Sequence, residues 1–282
     1  ALCENFDKVI EGNERVLRPR LSDALFFYNN DLKKGLTTEG LEKVVFMNGL
    51  GSLADKNIRE QKVAEVLFKL VENRIPDQKE ALMRAIKLSK ADLMSEMVYE
   101  FTELQGLMGY YYALALGEDE MVATAIKEQY LPTGEESALP STLVSALVAM
   151  GSKLDTLIGM FSIGEIPTGS RDPFALRRAV NGLIKIAINH SIPLNFSVLI
   201  DQLSSLYPAT KEYKSAIESF IIDRLSGVYP AVNPSIISSV VSKTPSIELS
   251  VLELDAKIRA VDTIASSEGF SDAFSTFKRV SN

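Results

Sequence analysis

The 282-residue sequence contains very little cysteine or histidine, and this excludes several classes of protein. With Cys3 as its single cysteine, the chain cannot form an internal disulfide framework or a zinc site built from cysteines. With His190 as its single histidine, it cannot use a mechanism that needs two imidazoles. No uninterrupted apolar run approaches the roughly 18 residues that a membrane span requires, so we expect no membrane partner.

Short catalytic motifs are also missing. The sequence has no glycine-rich phosphate loop, no G-x-S-x-G elbow and no H-E-x-x-H zinc motif, and we predict no catalytic residues. Its 46% hydrophobic and 24% charged residues are the ordinary globular balance. Because the net charge is −7, contact with nucleic acid would require a local basic face.

The apolar spacing indicates helix along most of the chain and strand almost nowhere, so the sequence predicts an all-α fold. The clearest helical stripes cover residues 60–73, 78–101, 119–130 and 143–161. Asp172 and Pro173 are typical of the N-cap and first position of a further helix, which is expected to run to about His190. At that helix end, a stabilising cap is a better interpretation of His190 than a catalyst.

Acidic residues recur within 78–101 at spacings of four, four and three. They are Asp92, Glu96, Glu100 and Glu103, and Asp155 on a later helix could approach them. Clustered carboxylates could bind Mg²⁺ or act as acid and base. The alternative, which we favour from the sequence, is a solvated helix face.

A basic face is predicted on the helix that follows residue 172. Its cations are Arg177, Arg178 and Lys185, with Arg171 in the preceding loop. Arginines in a first helical turn are disfavoured by the helix dipole, which suggests a phosphate ligand. Ion pairs with Asp172, Glu165 or another acidic residue are the alternative, and the sequence leaves both interpretations open.

A weaker nucleic-acid candidate lies near the start of the chain. Arg18 and Arg20 precede an aromatic run, Phe26 to Tyr28, and such a pattern can bind single-stranded nucleic acid by charge and stacking. A place for the aromatic residues in the core is the favoured alternative.

Several segments resemble the β subunit of bacterial two-subunit glycyl-tRNA synthetase, in the same order and over nearly the whole chain. They are residues 13–27, 50–56, 90–109, 153–157, 164–178 and 278–282. The resemblance implies a cytoplasmic ligase that joins glycine to glycine tRNA, using ATP and Mg²⁺. It also implies an α subunit, within a heterotetramer, that carries the aminoacylation site, and a β subunit that grips tRNA. No cofactor is implied for the present segment.

The same resemblance implies an HD-like helical domain with flanking helices. Asp92 and Asp155 would occupy metal-binding positions of an HD phosphohydrolase, but the histidines of such a site are absent, so we predict no metal and no phosphohydrolase activity. The implied organisation is a helical segment (1–58), the HD-like domain (59–192), a connecting region (193–250) and the start of an anticodon-binding domain (251–282). Apolar spacing in 270–282 further predicts that the sequence is part of a longer protein.

Three hypotheses on function follow. The leading one is a non-catalytic, tRNA-binding segment whose contacts are Arg171, Arg177, Arg178 and Lys185, with Arg18 and Arg20 as weaker candidates. The second is a degenerate HD enzyme with residual metal chemistry. The third is a structural module that docks the α subunit or another β domain through the loop 164–173, with Arg177 and Arg178 buried in ion pairs.

Overall fold

The computed structural model describes residues 6–208, 213–243, 250–267 and 269–270. The predicted all-α fold is confirmed: this part of the chain forms twelve α-helices and one small antiparallel strand pair, Val45–Met47 with Gly51–Ser52. The helices are α1 (Phe6–Lys34), α2 (Leu53–Lys69), α3 (Lys79–Leu88), α4 (Glu96–Glu100), α5 (Leu107–Ala115), α6 (Glu120–Glu128), α7 (Leu143–Ser162), α8 (Leu176–Asn189), α9 (Phe196–Leu203), α10 (Lys214–Val228), α11 (Pro234–Ser242) and α12 (Val251–Ala265).

Helix α7 is the centre of the main hydrophobic core. It packs against α2, α3, α6 and α8, and its small residues Ala146, Ala149 and Gly151 are completely or almost completely buried. Small side chains let neighbouring helices approach closely, and Leu147 and Leu154 fill the space between them. The apolar stripe that the sequence places on this helix is therefore the core of the molecule.

The length and composition of α7 would also allow it to cross a membrane, although Lys153 and Asp155 interrupt its apolar sequence. Its mean hydropathy is 1.4, but 78% of the apolar window is buried inside the protein. The packing of α7 against the surrounding helices accounts for its apolar character.

The C-terminal half of helix α1 packs against the body of the protein. Tyr28 stacks on Tyr112 with 5.5 Å between ring centroids, and the buried carboxylate of Asp31 accepts hydrogen bonds from the Tyr112 hydroxyl and from the first turn of α4. A second, smaller hydrophobic cluster surrounds these contacts. The expected place of the aromatic run in the core is wrong for Phe26, which is 61% exposed.

The predicted continuous helix over 78–101 is wrong. The chain leaves α3 at Leu88, makes a 3₁₀ turn over Ala91–Met94 and begins α4 after Ser95, whose hydroxyl caps Val98 N–H. The acidic residues therefore do not share one helix face, and Asp92 is completely buried, so the solvated-face interpretation fails for it as well. Asp92 accepts hydrogen bonds from the N–H groups of Gly106 and Gly109, at the start of α5, and these tertiary contacts accompany the break.

The predicted domain boundaries remain predictions. The boundary at residue 58 falls inside α2, and a single cluster of buried side chains extends from Leu50 to Ile258. The apolar pattern within 271–282 and the resemblance in 278–282 lie outside the described residues.

Candidate nucleic-acid interface

The predicted basic face of α8 forms one wall of a cleft of about 410 Å³. We call it the basic cleft; it is lined by Pro132, Gly134, Glu135, Arg177, Arg178, Asn181, Gly182, Lys185, Asp223, Arg224, Ser226 and Gly227. Helix α10 forms the opposite wall, and the loop before α7 closes one end. The apolar face of α8 is buried as the sequence predicts, with Leu176, Val180 and Leu183 at 0% exposure.

Helix α8 begins three residues later than the N-cap prediction. Ala175, with a left-handed φ of 54°, is the N-cap residue, so Pro173 lies outside the helix. The Asp172 carboxylate still caps the helix, since it accepts hydrogen bonds from the N–H groups of Leu176 (2.8 Å) and Arg177 (3.0 Å). Asp172 is thereby engaged with the backbone and forms no ion pair with either arginine.

The cations of α8 are held by neutral carbonyl groups. An Arg177 Nη donates to Gly169 O at 2.6 Å, Lys185 Nζ donates to Glu135 O at 3.1 Å, and an Arg178 Nη lies 3.5 Å from Thr133 O. Within the described ranges, no carboxylate lies within 4.0 Å of any of these three groups. The described residues therefore do not form the ion pairs that were the alternative to a phosphate ligand, and the docking hypothesis stays a prediction.

Helix α10 contributes a cation that the sequence analysis missed. Arg224 lines the cleft opposite α8, and its guanidinium carbon lies 5.7 Å from the centre of the Phe220 ring. Its buried Nε has no hydrogen-bond partner among the described residues, and the same is true of the Asn181 Oδ1 atom. The cleft thus offers an unused buried donor and an unused buried acceptor to a ligand.

One glycine within helix α8 and one within helix α10 were a sequence signal of close packing beside the cleft. A Cβ atom on Gly227 would lie 3.3 Å from the Asn181 amide nitrogen, and Gly182 also lines the cleft. Glycine inside a helical pattern is destabilising unless close packing requires it. Gly227 therefore indicates that α10 packs closely against α8, and Gly182 indicates close packing of α8 against Lys153 of α7, although neither identifies Arg224.

The remaining predicted contacts lie outside the cleft. Arg171 is exposed in the loop before α8, and Arg18 and Arg20 are exposed on α1. Arg18 pairs with Glu14 at 3.7 Å, an exposed interaction of little energetic weight. Their role in binding stays a prediction.

Comparison with known proteins decides the family. The sequence-family model of the glycyl-tRNA synthetase beta subunit matches residues 2–242 of this chain. The chain belongs to the glycyl-tRNA synthetase beta subunit family. The glycine–tRNA ligase beta subunit of Helicobacter pylori (strain Shi470) is 44% identical over 100% of this chain, and that of Pasteurella multocida (strain Pm70) is 40% identical over 98% of it. The chain spans about 41% and 40% of the length of these two relatives.

In this member of the beta subunit family, the two positions compared with HD metal ligands are both buried and hydrogen-bonded, Asp155 through both carboxylate oxygens and Asp92 through Oδ2 alone among the described residues. Asp155 is fully buried and accepts hydrogen bonds from Lys56 (2.8 Å), Arg59 (2.7 Å) and the Tyr207 hydroxyl (3.1 Å). Burial opposes ionisation of this carboxyl, but Lys56 and Arg59 outweigh it and hold the pKa of Asp155 below its usual value.

Asp92 has a different environment. Burial raises the pKa of the Asp92 carboxyl, against the lowering effect of the Gly106 and Gly109 N–H groups that donate to it. A Cβ on Gly109 would lie only 3.2 Å from an Asp92 oxygen, so the missing side chain makes this contact possible.

These residues do not fit a catalytic metal. A cation at Asp155 would have to displace an ammonium and a guanidinium, and no imidazole is present to complete a ligand set. In the described part of the chain, no three histidine, cysteine or acidic residues are grouped to hold an ion. His190 is the C-cap residue of α8, as predicted, and its ring Nε2 lies 2.8 Å from Pro140 O.

Proposed function

We propose that this chain is a tRNA-binding, non-catalytic part of a glycine–tRNA ligase beta subunit, and that the basic cleft receives tRNA phosphates. The relatives named above are beta subunits of this ligase, which supports the assignment. In this proposal the whole cytoplasmic enzyme attaches glycine to its tRNA with ATP and Mg²⁺. Its partner α subunit carries the aminoacylation site.

One observation supports the cleft as the contact surface: four cations surround it and none has a carboxylate partner in the described structure. Carbonyl groups orient Arg177, Arg178 and Lys185 without neutralising their charge. An RNA phosphate would supply that missing charge, and displacing condensed counterions from the RNA would favour the complex. The acidic lining residues, Glu135 and Asp223, would confine binding to the arginine-rich part.

The non-catalytic part of the proposal is supported by the engagement of both buried aspartates. The Asp155 carboxylate is held by cations, and Asp92 is buried against backbone N–H groups. Neither is placed to deprotonate or coordinate a substrate. We extend the proposal to an HD-like architecture that has kept its helices and lost its metal chemistry.

The test is charge reversal of the cleft in the full beta subunit, assembled with its α subunit. Arg177→Glu with Arg178→Glu is expected to weaken glycine tRNA binding by tenfold or more. Assembly, melting temperature and tRNA-independent glycyl-adenylate formation should be retained. Lys62→Glu with Lys69→Glu is a matched control, because both lysines are exposed on α2 and neither lines the cleft.

Two results would contradict the proposal. Equal loss of tRNA affinity in the control pair would indicate a general effect of net charge. Retained affinity with loss of assembly would support the docking hypothesis instead, with the loop 164–173 as the contact.

A further inference from the structure

A second cavity, of about 590 Å³, adjoins the basic cleft and shares Pro132 and Arg178 with it. We call it the lysine pocket, after Lys56, Lys90 and Lys153, which line it. Its other lining residues are mostly polar or aromatic and include Gln105, Gln129, Tyr130, Ser152, Thr156 and Phe174. Helices α2 and α7 and the 3₁₀ turn beside Lys90 place the three lysines around this cavity.

The three ammonium groups converge through shared neighbours. Lys56 Nζ and Lys90 Nζ lie 3.2 and 3.9 Å from the same oxygen of buried Glu60. Lys90 Nζ also lies 4.8 Å from the centre of the Tyr130 ring, and Lys153 Nζ donates to Tyr130 O at 3.0 Å. The pocket therefore places three lysine ammonium groups around one cavity, linked through Glu60 and Tyr130.

The nearby carboxylates balance only part of the charge of this cluster. Asp155 is shared by Lys56 and Arg59, and Glu60 lies between Lys56 and Lys90. In the described ranges no carboxylate lies within 4.0 Å of Lys153. Burial, reinforced by the positive charge of Lys90, lowers the pKa of Lys153 to about 8.

The sequence makes room for this arrangement. A Cβ on Gly182 of α8 would lie 2.9 Å from Lys153 Cε and 3.3 Å from Lys153 Cδ. Glycine inside a helix disfavours folding relative to alanine, so its presence here calls for a packing reason. Its absent side chain lets the Lys153 stem pass between α7 and α8 to reach the cavity.

We propose that the lysine pocket binds a phosphate group. Several cations and neutral donors around one cavity suit a polyoxyanion, which accepts many hydrogen bonds at once. The volume is large enough for the group that carries the phosphate, within the ordinary range for ligand pockets. Arg178 lines both cavities, but phosphate binding in the pocket can be tested apart from tRNA binding in the basic cleft, because Lys153 lines only the pocket and Lys185 lines only the cleft.

Inorganic phosphate is the first probe. At constant ionic strength, replacing chloride by phosphate is expected to raise the melting temperature of the 282-residue chain. Lys153→Met should weaken the apparent phosphate affinity by tenfold or more, and Lys185→Met should leave this protection in place. An equal phosphate effect in the Lys153→Met chain, or none in the unmodified chain, would overturn the proposal.

Lysine labelling tests the same site without a substitution. Phosphate should slow acetylation of Lys153 by acetic anhydride, read by mass spectrometry, while exposed Lys79 is labelled at an unchanged rate. An unchanged rate at Lys153 would contradict phosphate binding even if the Lys153→Met variant failed to fold.

The source of the phosphate follows from two further probes in the labelling experiment. Protection of Lys153 by glycine tRNA would identify a nucleic-acid phosphate. Protection by adenosine monophosphate or inorganic phosphate alone would identify a free phosphorylated small molecule. Either result supports phosphate binding in the lysine pocket. Neither result depends on whether tRNA binds the basic cleft.

Discussion

The basic cleft and the lysine pocket are neighbouring cationic cavities that differ in how their charges are balanced. In the cleft, half-buried or exposed cations rest on neutral carbonyl groups. In the pocket, Lys56 and Arg59 are buried against Asp155, and only Lys153 lacks a carboxylate. The cleft therefore presents charge that can be changed without loss of the fold, whereas most charge in the pocket helps to hold the core together.

This contrast explains why positive charge alone does not identify function. Removing one partner of a buried ion pair leaves an uncompensated charge, whereas removing an exposed cation changes little. Lys153 is the exception inside the pocket, since its ammonium donates to the Tyr130 carbonyl and no carboxylate of the described residues pairs with it. A phosphate ligand would supply the negative charge that Lys153 lacks.

Loss of the Asp155 carboxylate is expected to have the largest effect. Asp155→Ala would leave Lys56 and Arg59 buried without their anion and should destabilise the chain by about 3–5 kcal/mol in urea unfolding. Asp201→Ala is the matched control, because Asp201 pairs with Lys214 at the surface and its loss should cost less than about 1 kcal/mol. A similar loss of unfolding free energy in both variants would contradict the difference between buried and exposed ion pairs.

The pH dependence of Lys153 is the next largest effect. Its pKa is about 8 in the fold and 10.5 as the reference value, so between these values the unfolded chain binds more protons. Stability of the unmodified chain relative to Lys153→Met should therefore rise by about 2–3 kcal/mol from pH 7.5 to 10.5. Comparison with the variant cancels the titration of other groups, such as Tyr130, to first order. A constant or falling difference in urea unfolding would contradict the burial of this ammonium.

The smallest expected effect is in the cleft. Lys185→Gln should change the free energy of unfolding by less than about 0.5 kcal/mol, because the lysine partner is a loop carbonyl and no carboxylate is left behind. Thermal unfolding measures this directly. A loss above about 2 kcal/mol would mean that the cleft cations are structural, as those of the pocket are.

Local sequence patterns predicted much of the fold and part of the site. The period of apolar residues located α7, and the helix predicted over 119–130 is present as α6, which begins after Asp119. The break after Leu88 was missed because the preferred partners of Asp92 come from α5, which no local spacing reveals. Arg224 was missed for the same reason, since only the packing of α10 against α8 brings it to the cleft.

The salt dependence of tRNA binding tests the central claim most directly. For the full beta subunit with its α subunit, the logarithm of the tRNA affinity should fall linearly with the logarithm of salt concentration. Replacing Arg177 and Arg178 by glutamine should make that slope shallower by about 1.4–1.8, since each lost phosphate contact removes about 0.7–0.9. Parallel lines for the unmodified and substituted enzymes would show that the basic cleft does not contact tRNA phosphates.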